Sequence, residues 1–153
     1  MKKLFFLFLG IFSFSNAEYQ IERNKNLFIV KVSNTSFENS LLNLKDELTF
    51  NGFTIVYELD MAKSTNTVAK LLERKTSLEK GINIGICKSS FTFKMVSENF
   101  LNINYCPLAI SIYSQNKNTT FISFKYYKTF KFGDKIAEEI NETLKTLIID
   151  SIE

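Results

Sequence analysis

The chain contains two cysteines, Cys87 and Cys106, and no histidine. Cysteine thiols can form a disulfide, exchange with other disulfides or bind a soft metal ion. The absence of histidine excludes a histidine general base, a histidine-ligated metal and the Ser-His-Asp or Cys-His catalytic arrangements within this sequence. The two cysteines are therefore the first residues to consider for chemistry.

The cysteines flank a segment that connects two predicted strands. Cys87 ends a strand at residues 82–86, and Cys106 precedes a strand at residues 108–112. If these strands are antiparallel neighbours, the two ends meet, and a disulfide would close a loop of about 20 residues. Three alternatives stay open: two separate buried thiols, a metal site that would need further ligands, and a thiol redox site without the usual Cys-x-x-Cys spacing.

Asp60 is the second candidate for a functional residue, because it stands at the end of an alternating apolar segment. An aspartate at the end of a strand usually forms a turn or caps the next helix. The alternative is a carboxylate that binds a ligand at the edge of the sheet. We expect the structural role.

Aromatic residues and lysines alternate in the last third of the chain. Three interpretations are open: a core face with lysines on the other side, an oligomer interface, and a ligand contact. Stacking on single-stranded nucleic acid is a further use of such a pattern, but it requires a basic protein. The residues are Tyr113, Tyr126, Tyr127, Phe130 and Phe132, with Lys125, Lys128 and Lys131 between them.

Residues 139–143 match an acidic N-glycosylation sequon with Asn141 as the acceptor. The match lies within a predicted helix, whereas acceptors favour exposed and irregular segments. We therefore expect Asn141 to be unmodified.

The first 17 residues have the three parts of a secretory signal peptide: a basic start, an apolar run and a small-residue end at Ala17. Eleven apolar residues are too few to span a bilayer as a helix. We expect cleavage after Ala17, a periplasmic protein and no membrane anchor after cleavage. Loss of Lys2 and Lys3 lowers the net charge from +3 to about +1, so no nucleic-acid partner is predicted.

The rest of the chain predicts a single domain. Residues 18–26 are polar and are expected to be a loose lead-in, followed by one domain at 27–153. Apolar residues alternate at 53–59, 82–86 and 108–112, and they recur at helical spacing at 37–48 and 136–148. Val68, Leu71 and Leu72 are expected to be the buried side of a further helix. The order predicts an α+β two-layer sandwich with a mainly antiparallel sheet and helices on one face.

Three stretches within residues 27–148 resemble the DUF302 family. In residues 48–60 an amphipathic helix ends in Gly-Phe and runs into a strand that closes on Asp. Residues 83–87 form a strand before a short helix, and residues 105–113 form a strand that begins at a proline. Lys88-Ser89-Ser90 stands where the family often has Asn-Pro. The resemblance implies a TATA-binding-protein-like topology and frequent self-association, and it implies no catalytic residue.

These observations predict an exported binding or interaction module without enzymatic activity. Its partner is expected to be a small molecule or a protein, and a homodimer is one form that it could take. No catalytic, cofactor-binding or metal-binding residue is predicted. The alternative is a thiol-dependent redox or accessory protein that uses Cys87 and Cys106.

Overall fold

The computed structural model describes residues 18–76, 78–128 and 134–153. Within them, six strands form one antiparallel sheet in the order β1-β2-β6-β5-β4-β3, which confirms the predicted α+β class. The strands are β1 (Glu18–Glu22), β2 (Leu27–Ser33), β3 (Thr54–Asp60), β4 (Lys80–Cys87), β5 (Leu108–Asn116) and β6 (Thr119–Lys125). The helices are α1 (Phe37–Phe50), α2 (Met61–Leu71), α3 (Ser89–Glu98) and α4 (Asp134–Asp150), and a 3₁₀ helix spans Phe100–Tyr105.

One face of the sheet carries the hydrophobic core, and we call it the helix-covered face. Alternation along the strands places branched aliphatic side chains on this face, where α1, α3 and α4 pack over them. Ile84, Ile110 and Ile122 are completely buried there. Burial of each such side chain stabilises the fold by about 1.5–3 kcal/mol.

The opposite face of the sheet, which we call the open face, carries small and polar residues. Gly81, Asn83 and Gly85 alternate with the core isoleucines of β4, and their partners on β5 include Ala109 and Ser111. The first turn of α2 lies against one end of this face, where a Cβ atom on Gly81 would be 3.8 Å from the backbone nitrogen of Ala62.

A β-bulge in β3 changes which side chains face the core. The sequence predicts that Phe53, Ile55, Tyr57 and Leu59 share one face, but the register shifts between Ile55 and Tyr57. The extra residue turns the rest of the strand over, so Tyr57 pairs with Gly85 on the open face. Phe53 is buried, whereas Tyr57 and Leu59 are exposed. This part of the prediction was wrong, because a bulge breaks the period of two.

Residues 18–22 are not a loose lead-in. They form the edge strand β1, which pairs with β2 along its whole length. Only Tyr19 packs against the core, and the main attachment is the backbone ladder. Backbone pairing leaves little trace in the side-chain pattern, which explains why the sequence does not indicate this strand.

The apolar side of α2 is also placed differently from the prediction. Val68, Leu71 and Leu72 are 53%, 80% and 60% exposed, and the buried positions of the helix are Ala62 and Ala69. The two alanines allow close approach to the sheet, because they add little volume at the contact. Helical spacing identifies a row of apolar side chains on a helix, but the tertiary packing decides whether another element covers that row.

Gly85 offers a test of the bulge. A Cβ atom at residue 85 would clash with the ring of Tyr57, whereas one at residue 81 would make only ordinary contacts of 3.6 Å or more. We expect Gly85→Ala to displace Tyr57 and to lower the free energy of unfolding by about 1–3 kcal/mol, as overpacking does. Gly81→Ala, the matched control, should change it by less than about 1 kcal/mol. Urea denaturation measures both values, and equal effects of the two variants would contradict this account of the bulge.

Candidate functional site

The open face contains a groove of about 600 Å³. This volume lies in the range of small-molecule sites. Its floor consists of small side chains from the central strands, and larger side chains form its walls. We call this site the groove; the residues that line it are Leu27, Met61, Leu78, Gly81, Ile82, Asn83, Ala109, Ser111, Ile112, Tyr113, Ser123, Phe124, Lys125 and Tyr127.

A row of polar side chains crosses the open face and reaches the floor of the groove. The Tyr57 hydroxyl donates to Asn83 Oδ1 at 3.1 Å, and Asn83 Nδ2 donates to Ser111 Oγ at 2.9 Å. Ser123 is the register partner of Ser111 on β6. The two bonds hold the amide of Asn83 in one orientation. Ser111 accepts in this row, so its own O–H remains available as a donor.

Tyr127 forms one wall, and Asn141 of α4 holds it in position. Asn141 Oδ1 accepts from the backbone N–H of Tyr127 at 2.9 Å, and Asn141 Nδ2 donates to the Tyr127 carbonyl at 2.8 Å. The Tyr127 hydroxyl accepts from the backbone N–H of Ala109 at 3.2 Å, and burial raises the pKa of Tyr127. The sequon at 139–143 therefore has a structural use, since both polar atoms of its asparagine bind the backbone.

Tyr113 forms the wall near α2. Its ring stacks on Phe121 of β6, with ring centroids 5.4 Å apart and an angle of 13° between the ring planes. Both residues lie on the open face, and Tyr113 is the register partner of Gly81. The stacked pair makes a rigid, apolar edge beside the floor of the groove.

The other members of the aromatic concentration have separate roles. Tyr126 packs edge-on against Phe124 at the border of the core, with ring centroids 5.7 Å apart. Lys125, which lines the groove, and Lys128 are both exposed. Phe130, Lys131 and Phe132 lie outside the described residues, as do residues 1–17 and the expected cleavage site at Ala17.

The two cysteines meet at one end of β4 and β5. Ile86 pairs with Leu108, and the Sγ atoms of Cys87 and Cys106 are 2.9 Å apart, with both residues present as free thiols. The hydroxyl of Thr92, on α3, lies 3.2 Å from Cys106 Sγ. The antiparallel pairing therefore brings the two thiols together, as the sequence argument required.

The thiol of Cys87 is a poor nucleophile in this arrangement. Burial and the neighbouring Cys106 thiol raise the pKa of Cys87 to about 11. At pH 7 only about one molecule in ten thousand would carry the thiolate, which is the reactive form. Lys88 follows directly, but its ammonium group lies over the rings of Phe53 and Phe91, at 5.2 and 5.4 Å from their centroids.

Asp60 has the structural role expected from its position. It is the N-cap of α2, and its Oδ1 accepts from the backbone N–H of Lys63 at 2.7 Å. Among the described residues, no group of three or more cysteine and carboxylate side chains could hold a metal ion. In the same part of the chain, no helix is long and apolar enough to cross a membrane.

Sequence reasoning missed the groove itself. Its floor depends on Gly81, Ala109 and Ser111, which come from two separate strands and carry no motif. Tyr57 and Asn83 lie in alternating strand segments and belong to no motif either. The one available signal was the small residues that alternate with isoleucine in β4 and β5.

Comparison with known proteins identifies a family and a related fold. The family model described as "Domain of unknown function DUF302" matches residues 28–151. The crystal structure of an uncharacterized conserved DUF302 protein from Bacillus stearothermophilus superposes with a TM-score of 0.68 at 15% identity. The match covers 85% of this chain and 100% of that chain, and at this identity it shows the fold alone. No curated protein matches the chain.

The thiol pair leads to a prediction about redox state. We expect Cys87 and Cys106 to form a disulfide when the folded protein is exposed to oxidised glutathione, because their sulfur atoms are already adjacent. The bridge should raise the free energy of unfolding by about 3 kcal/mol. Thiol titration of the denatured protein, before and after reduction, measures the change. Cys106→Ser, which leaves one thiol, is the control, and two titratable thiols after oxidation of the parent protein would contradict the prediction.

Proposed function

The chain belongs to the DUF302 family, a domain of unknown function, and we propose that it is an exported, non-enzymatic binding module whose site is the groove. The observation that carries this proposal is the groove itself. It combines a volume of about 600 Å³ with small floor residues and aromatic walls. Sites for small molecules typically have this combination of apolar walls and a few oriented polar groups.

The polar row supports binding rather than packing as the role of the open face. Asn83 has both of its polar side-chain atoms bonded within the row, so its orientation does not depend on a ligand. Tyr127 is anchored from behind by Asn141. The groove is therefore preorganised, which lowers the entropic cost of binding.

Export rests on the first 17 residues. Their basic start, apolar run and terminal Ala17 have the pattern of a cleaved signal peptide. The module would then act in the periplasm, without an anchor and without a nucleic-acid partner. A second copy of the chain is the protein partner that the family resemblance favours.

A thiol-dependent redox or accessory protein is the second candidate function. The observation in its favour is the 2.9 Å separation of Cys87 Sγ and Cys106 Sγ. Against it, the pKa of Cys87 is raised to about 11, whereas redox enzymes lower the pKa of the attacking thiol. Rapid reaction of one thiol with a small disulfide at neutral pH would favour this candidate over the binding module.

The export proposal has a direct test. We expect the mature protein in a periplasmic extract to begin at Glu18, because a cut after Ala17 leaves that residue first. Intact-mass measurement and sequencing of the N-terminus check this. A full-length chain that stays with the membrane fraction would contradict export and cleavage together.

The binding proposal is tested by filling the groove. N-phenylnaphthylamine, a neutral fluorescent probe, should bind the purified mature protein. Ala109→Leu adds an apolar side chain to the floor and should weaken binding about tenfold, which corresponds to about 1.4 kcal/mol. Thr119→Leu also places a leucine on the same sheet face, but outside the groove, and should leave the affinity unchanged. Equal affinities for the parent protein and Ala109→Leu would overturn the assignment of the groove.

A further inference from the structure

The groove has an uneven distribution of charge. Among the described residues that line it, Lys125 is the one charged side chain, and none is acidic. Lys125 lies at the end of β6, where it is the register partner of Leu27. A second cavity of about 530 Å³ shares Leu27, Lys125 and Tyr127 with the groove and adds Lys128. Its described lining also contains no carboxylate, so this end of the groove is cationic.

Lys125 differs from the lysines that serve the fold. Lys45 pairs with Glu58 at 2.6 Å, and Lys94 pairs with Glu139 at 2.6 Å. Lys80 and Lys145 have carboxylate partners as well. Lys125 has no carboxylate partner among the residues that the structure describes, and Lys128 donates only to the neutral amide oxygen of Asn26, at 2.7 Å.

The other end of the groove is apolar. Met61, Leu78 and Tyr113 lie around Gly81 at that end. Along β6, the open-face residues run from Phe121, under Tyr113, through Ser123 to Lys125. The four residue-to-residue steps from Phe121 to Lys125 span about 13 Å. A ligand that follows this line would meet a ring-lined apolar site, then hydroxyl and amide groups, and then a cation.

We propose that the groove binds a small amphipathic organic anion, with its apolar part beside Tyr113 and Met61 and its anionic group at Lys125. This inference rests on the proposed binding function and names the class of its ligand. Charge complementarity selects the anion, and the apolar end selects a hydrocarbon or aromatic body. A neutral apolar molecule would leave Lys125 without a partner, and an inorganic anion would leave the apolar end empty.

Two fluorescent probes with the same ring system test the ligand class. Anilinonaphthalene sulfonate carries an anionic group, and N-phenylnaphthylamine lacks it. We expect the mature protein to bind the sulfonate about fivefold more tightly, in line with one partly exposed ion pair. This preference should decrease as salt is added, because salt screens exposed charges.

Variants assign the preference to Lys125. Lys125→Gln should remove the fivefold difference between the two probes, because the cation that favours the sulfonate is gone. Lys117→Gln, in the turn between β5 and β6 and outside the groove, is the matched control and should bind both probes like the parent protein. Ala109→Leu should weaken the binding of both probes, which would show that both bind in the groove.

The outcomes separate the two proposals. If both probes bind equally, or if Lys125→Gln leaves the preference intact, while Ala109→Leu still weakens binding, the anionic ligand class is overturned and the groove remains a binding site. If Ala109→Leu changes the affinity for neither probe, the groove itself is overturned, and the ligand class with it.

Discussion

The alternation of side chains along the central strands is the constraint on which the rest of the structure depends. Successive residues of a strand point to opposite faces, so β4 sends Ile84 and Ile86 into the core and Gly85 to the other side. The core face is full of branched side chains, and three helices cover it. The residues left for the middle of the other face, such as Asn83, Gly85 and Ser111, are small or polar, and they cannot form a second core. The groove is therefore a consequence of how the core is built.

The bulge in β3 adds a polar side chain, Tyr57, to the open face. By moving Tyr57 out of the core register, it brings a hydroxyl group to Asn83. Gly85 permits this, since any side chain there would occupy the space of the Tyr57 ring. Bulges are frequent beside functional sites because they redirect a side chain at small cost to the sheet. Here the redirected side chain begins the hydrogen-bonded row at the floor of the groove.

The thiol pair of Cys87 and Cys106 is not part of the groove lining. Cys87 is on the open face of β4, but the pair sits at the strand ends, where the chain leaves the sheet for α3 and returns. A disulfide there would link the two ends of the segment 88–105, which contains α3 and the 3₁₀ helix. The high pKa of Cys87 suits a structural pair better than a nucleophile, because the thiol stays protonated at neutral pH and only the thiolate attacks a disulfide. The groove and the thiol pair are therefore separate features of the fold.

The order of the periodic segments was sufficient to predict the class of the fold and the antiparallel sheet. Periodicity alone was sufficient to predict most buried residues of α1 and α4, because these helices face a single core. For Cys87 and Cys106 the sequence predicted a meeting only if their strands are antiparallel neighbours, and the pairing of β4 with β5 fulfils that condition. Only the tertiary structure decided the register of β3, the strand β1 and the exposure of Leu71 and Leu72. A bulge, a backbone ladder and an unpartnered helix face are set by contacts between distant segments, and such contacts leave no period in the sequence. The groove is of the same kind, because its floor and walls come from four strands, from the start of α2 and from the segments before β4 and after β6, which no motif joins.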